Sequence, residues 1–176
     1  LGFIQSASVP LRALYDRPLV NDKNTTFDNL PEVCDIKLDE HQYAVIEQMA
    51  KERREFWLEF DIRNHFKLGP VKYHNVVASI KGTKYPDEYV IISGHLDAFD
   101  VATGGIDCGT GIGPMMEAAR LIALSGAKPK RTILFIAFAG EEFGLLGAKA
   151  YARTHQNELG KIANLFNRDG GPTPPI

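Results

Sequence analysis

Three strand-length apolar runs, residues 89–93, 132–139 and 162–166, each break off abruptly into a polar cluster. The first two are apolar on both faces, the pattern of central strands covered by helices on each side rather than of a sheet with one wet face. Between them, Met115, Ala118, Ala119 and Ile122 recur at helical spacing, with Pro114 suited to a first turn and Gly126 to a C-terminal cap, which predicts a helix over 114–125. A second helix is predicted over 144–157, and a further strand over 75–81, followed by turn chemistry at 82–88. The order from Asn75 is therefore strand, strand, helix, strand, helix, strand. Strands alternating with helices in this way predict an α/β fold, a three-layer αβα sandwich with a mostly parallel central sheet. In such sheets ligands gather at the carboxyl ends of the strands.

The first part of the chain is less patterned. Asp39 can cap a helix that runs to Arg54, with Val45, Ile46 and Met49 on its apolar side. Phe56, Leu58, Phe60 and Ile62 then alternate with polar residues and Trp57, which predicts a strand over 56–63 with one buried face. Residues 1–31 lack a period and are dotted with proline, asparagine and aspartate, so they read as loop or as the remnant of another unit. The chain starts at Leu1 without a basic n-region or an apolar h-region, and reads as cut from something longer. Asn24-Thr25-Thr26 fits a glycosylation triplet, which matters only in a secreted protein.

Charge narrows the partners. Lys and Arg number 20 against 22 Asp and Glu, a net charge of −2, and the densest basic run is Lys128-Pro129-Lys130-Arg131. Nucleic acid and anionic lipid are not the expected partners. No apolar stretch approaches the roughly 20 residues of a membrane-spanning helix. Cys34 and Cys108 are too few for a disulfide framework and too far apart for a zinc knuckle.

The chemistry lies at the strand ends. These carry Gly94-His95-Leu96-Asp97, Gly140-Glu141-Glu142 and Asn167-Arg168-Asp169-Gly170-Gly171, while the glycine-rich stretch 94–113 adds Asp107. One imidazole and five carboxylates would thus meet at one sheet edge, with only Arg168 interleaved. So much negative charge needs protons or a metal cation to neutralise it. His95 and Asp97 are two apart at a strand end, so Asp97 is expected to accept the second ring N–H of a ligating His95. Asp107, among glycines, has the backbone freedom of a bridging ligand, and of the neighbours Glu141 and Glu142 one can ligate while the other takes a proton from water.

These blocks, together with Asn75-Val76-Val77-Ala78-Ser79-Ile80-Lys81-Gly82, Gly105-Ile106-Asp107-Cys108-Gly109-Thr110-Gly111 and Glu141-Glu142-Phe143-Gly144-Leu145-Leu146-Gly147, stand in the order seen in the M28 zinc peptidases. The sequence resembles that family over roughly residues 70–176, and within it the plasma glutamate carboxypeptidase-like branch. The resemblance implies the zinc-peptidase (phosphorylase/hydrolase-like) sandwich. It also implies two Zn2+, with His95 and Asp169 on one ion, Asp107 bridging and Glu142 on the other. Glu141 would be the general base and Asp97 its catalytic companion. The activity implied is exopeptidase hydrolysis of peptides or dipeptides with a free N-terminus, by a water between two ions roughly 3.5 to 4 Å apart. It also implies a secreted or periplasmic enzyme, with residues 1–31 left from a protease-associated-like region and 32–176 forming a catalytic domain truncated at its C-terminus.

The sequence departs from the family pattern in two places. Cys108 stands where Asp or Asn is usual, and the family's last histidine ligand, downstream of Asp169, has no counterpart. His155 precedes Asp169 and is out of order for that role, while His41, His65 and His74 have no motif around them. A truncated domain of this kind would have a weakened second zinc site and an uncovered sheet edge that can recruit another chain, a homo-oligomer included. The alternatives are a non-hydrolytic binding or receptor module on the same fold and a metal-dependent amide deacylase or cyclase. A carboxylate-rich site could also take manganese or cobalt.

Overall fold

The computed structural model describes residues 2–7, 26–29, 34–63, 65, 69–99 and 102–170. The chain divides into two compact units, Leu1–Pro70 and Val71–Ile176, so residue 31 lies inside the first. The glycosylation triplet at Asn24 and most of the predicted loop before residue 31 fall outside the described residues.

In the first unit, strand β1 (Gly2–Ala7) pairs in parallel with β2 (Cys34–Asp39), from Gly2 beside Cys34 to Ala7 beside Asp39. Neither strand is predicted; residues 2–7 carry no clean period, although residues 34–39 do alternate apolar with polar. Helix α1 (Glu40–Lys51) begins where Asp39 predicts, its carboxylate accepting the His41 N–H at 2.9 Å. The strand predicted over 56–63 is absent: described residues 54–63 have no regular structure, and Trp57 is 89% exposed. Alternation marks a strand only where a partner ladder and a covering layer exist, and among the described residues nothing pairs with this segment.

The second unit holds a four-stranded sheet in the order β3-β5-β4-β6. Strands β4 (Tyr85–His95), β5 (Arg131–Phe138) and β6 (Ile162–Asn167) run parallel, and β3 (Val76–Ile80) pairs antiparallel with β5. The two runs that are apolar on both faces, β4 and β5, occupy the middle. Ile91 and Ile136 are essentially fully buried there. Helix α2 (Gly109–Leu124) covers one face, with Met115 against Phe135 and Ala137 and, around them, Ile92, Ile112, Ala118 and Ile133. Helix α3 (Leu146–Thr154) meets the other face, where Tyr151 packs edge-on against Phe138 with ring centroids 5.9 Å apart. The three layers are those the sequence predicts.

Several boundaries differ: β4 starts at Tyr85, inside the stretch expected as turn, and α1 ends at Lys51 short of Arg54. Helix α2 starts at Gly109 rather than Pro114, and α3 gives way after Thr154 to a 3-10 turn, Gln156–Lys161. Among the described residues no helix is long and apolar enough to cross a membrane.

Register brings the strand ends level. His95 sits beside Phe138, and Ser93 beside Asn167, so the residues that follow all three strands emerge along one edge. Asn75 secures that edge from the far side of β5: its side chain accepts the Ala139 N–H at 3.0 Å and donates to the Gly147 carbonyl at 2.9 Å. It thereby ties the end of β5 to the first turn of α3, and a Cβ on Gly147 would strike both Asn75 Oδ1 and the Ala139 carbonyl. Asn75→Ala strands two backbone groups in a half-buried setting, which is expected to lower stability by about 1–3 kcal/mol. Urea unfolding of wild type and variant measures the difference.

Candidate metal centre

His95 is the last residue of β4 and only 4% exposed. Its Nδ1 lies 2.8 Å from the Asp97 backbone carbonyl, a group that can only accept, so Nδ1 carries a proton and donates it there. This corrects the sequence expectation, since the Asp97 carboxylate lies 3.7 Å from Nδ1. That carboxylate is engaged elsewhere: it accepts the N–H of Glu141 at 3.0 Å and of Glu142 at 3.2 Å. Asp97 therefore clamps the turn after β5, which leaves the sheet through Gly140 at φ 68°, a conformation that favours glycine.

The other ring nitrogen faces the acidic residues. Asp107 Oδ1 lies 2.7 Å and Asp169 Oδ1 3.2 Å from His95 Nε2. Among the described residues, two sets of side chains offer ligand atoms within 4.8 Å of one another: His95, Asp107 and Glu142, and His95, Cys108 and Asp169. Two carboxylates converging on one ring nitrogen require positive charge between them, from a proton on Nε2 or from a metal cation. The donor set, one imidazole nitrogen and several carboxylate oxygens, fits a divalent ion such as zinc. All four residues predicted as metal ligands, His95, Asp107, Glu142 and Asp169, meet at this edge. Glu141 belongs to neither set and lines, with His95 and Asp169, a cavity of about 410 Å³ whose wall includes Phe138, Tyr151 and Leu165.

Burial works against the charged His95 ring. The hydrogen bonds to Asp107 and the Asp97 carbonyl, with the negative charges of Asp169 and Glu141, outweigh it and hold His95 above the usual histidine range. Burial raises Glu141, whose neighbours Asp169, Asp97 and Asp107 push the same way against His95. Glu142 is likewise raised, by burial and then by Asp107. The three shifts share one sign: each group binds protons more tightly folded than unfolded. Their stabilisation is complete below the unfolded values, about 4.3 for Glu and 6.5 for His, and is lost as pH rises through the raised folded values. The thermal midpoint of the chain in excess chelator is therefore expected to fall between about pH 6 and pH 8.5. Calorimetry at both pH values checks this, and a midpoint that rises would count against the arrangement.

The sequence does not foretell where Cys108 points. Its buried thiol lies 3.3 Å from the Arg168 carbonyl, and burial pushes the thiol up, so it stays protonated and donates to that oxygen. His155 lies apart from the cluster, stacked on Tyr151 with centroids 4.0 Å apart and Nδ1 2.9 Å from the Tyr151 carbonyl. His41, His65 and His74 are exposed and join no candidate metal group among the described residues.

A mostly parallel sheet flanked by helices, with an imidazole and carboxylates gathered where its strands end, defines an α/β protein with a candidate metal site at one sheet edge. Residues 75–174 match Peptidase family M28. The chain belongs to that family. It is 39% identical over 115 residues to a Xenopus laevis protein named Carboxypeptidase Q, an alignment covering 62% of this chain and 24% of the relative. Among solved structures, a Peptidase M28 precursor from Shewanella amazonensis SB2B superposes with a TM-score of 0.69 at 31% identity, over 84% of this chain and 33% of that one. BSAP, a zinc aminopeptidase from Bacillus subtilis, gives a TM-score of 0.50 at 31% identity, over 55% of this chain and 24% of that one. The chain spans about a quarter of the length of the curated relatives it matches.

Proposed function

We propose that this chain carries the metal-holding and proton-transferring part of a zinc-dependent exopeptidase. The observation that carries the reading is the convergence of Asp107 and Asp169 on Nε2 of His95, with Glu142 beside them and Glu141 lining the adjoining cavity. Membership of Peptidase family M28 supports it, as do relatives named as a carboxypeptidase and a zinc aminopeptidase. His95, Asp107, Glu142 and Asp169 would hold two zinc ions, with Asp107 shared. Zinc would supply a Lewis acid and a water acidic enough to lose its proton near neutral pH.

The chain's own groups do the rest. Asp97 holds the Glu141 and Glu142 amides, so both side chains project from a fixed turn. Glu141, raised by burial and neighbouring charge, is poised to take a proton from the attacking water and pass it to the departing amine. The carboxylate-rich edge attracts the ammonium of an unblocked peptide, which favours a peptide or dipeptide with a free amino end. Residues 1–31 would be left from a protease-associated-like region with 32–176 as part of the catalytic domain, and the enzyme acts outside the cell or in the periplasm.

Hydrolysis of an unblocked dipeptide and of its N-acetylated form by the zinc-supplied protein tests the reading. Cleavage of the free form is expected, with loss in chelator and recovery on adding zinc. Chelator-resistant cleavage, or preference for the acetylated form, would overturn it.

A further inference from the structure

Asp107 and Asp169 are tied together from behind by the residues next to them. Cys108 follows Asp107, Arg168 precedes Asp169, and the Cys108 thiol donates to the Arg168 carbonyl at 3.3 Å. The same Arg168 residue donates its N–H to the Ser93 carbonyl on β4 at 3.0 Å. On the other side of Asp169, the Gly170 carbonyl lies 2.7 Å from Thr110 Oγ1, whose single proton is shared with the Ile106 carbonyl, also at 2.7 Å. The approach is close enough that a Cβ on Gly111 would strike both the Arg168 carbonyl and the Cys108 sulfur. The backbone on both flanks of Asp169 is thus gripped by the start of α2, from its N-cap Cys108 on one side and from Thr110 in its first turn on the other.

The Asp107 and Asp169 side chains are each held at one oxygen, by His95 Nε2. They are 56% and 49% exposed. The rest of each carboxylate faces solvent, so the backbone behind it also sets the spacing across His95. We infer that Cys108 and Thr110 are positioning residues, which fix the separation of the Asp107 and Asp169 carboxylates across His95 Nε2 and so set how tightly this trio holds a cation. The inference rests on the metal centre proposed above. Neither residue needs to touch the ion, and preorganised carboxylates bind it without an ordering cost.

Cobalt(II) binding to the 176-residue chain, followed by visible absorption in competition with a chelator, tests this. Thr110→Val is expected to weaken cobalt binding about 10-fold or more, the usual cost of losing a residue that orients a ligand. Thr110→Ser, which keeps the hydroxyl, is expected to restore it, and Cys108→Ala to weaken it. If the valine variant does not fold, by circular dichroism of the metal-free protein, Thr110→Ala against Thr110→Ser decides. Wild-type affinity in the valine or alanine variant overturns the role of Thr110, as does equal loss in the serine variant. A sulfur-to-cobalt charge-transfer band in the wild type overturns the positioning role of Cys108, since the thiol would then be a ligand. Absence of cobalt binding by the wild type is a distinct result, which removes the metal centre itself.

Discussion

Glu141→Gln is expected to slow hydrolysis of an unblocked dipeptide by about 10²–10⁴-fold, the range over which a positioned acid–base group contributes. The amide keeps the shape of the carboxyl and loses only its ability to take a proton. Glu141 is in neither group of converging ligand atoms, so the zinc content of the variant should equal that of the wild type. The two readouts together identify the role. A variant that loses zinc along with activity would make Glu141 a ligand, and one that keeps full activity would move the proton acceptor elsewhere.

His95→Ala is expected to have the largest effect on the metal. Its ring is the nitrogen donor of both candidate ligand sets, so without it only carboxylates and the Cys108 thiol remain. Loss of an orienting partner alone costs about 10–100-fold in metal affinity, and loss of the imidazole ligand itself should exceed that. Elemental analysis after zinc equilibration and dialysis should find the variant nearly empty. Retention of zinc at the wild-type ratio would separate the carboxylates from His95 and dissolve the centre as described. His155→Ala serves as the control, because that ring stacks on Tyr151 away from the cluster.

Much of this site is legible in the sequence because parallel strands make it so. Once 89–93, 132–139 and 162–166 read as neighbouring parallel strands, His95, Glu141, Glu142 and Asp169 must emerge at one edge, whatever the details of the loops. What sequence cannot deliver is which atom meets which. Asp97 was expected to hold the His95 ring through its carboxylate, and it does so through its carbonyl, because two amides from the turn after β5 occupy the carboxylate. Asn75 and Thr110 reach partners 72 and 60 residues away, and neither side chain has a local pattern that announces it. The early start of α2 has a similar cause. Glycine in a helix argues for a loop by propensity, yet Gly111 is needed where the helix crosses the Arg168 carbonyl. In the first unit, the alternation at 56–63 misleads because period alone does not supply a partner strand.

The double grip of Asp97 on the amides of Glu141 and Glu142 also bears on how such a site can change over time. A residue that would hold the ion and a residue that would move the proton hang from one carboxylate, so a shift of the turn that retunes one displaces the other. Exchanging the preferred metal by substitutions around Glu142 would therefore carry a toll in turnover. Variants that alter metal choice without that toll should arise on the Asp107 and Asp169 side, where the anchoring is separate.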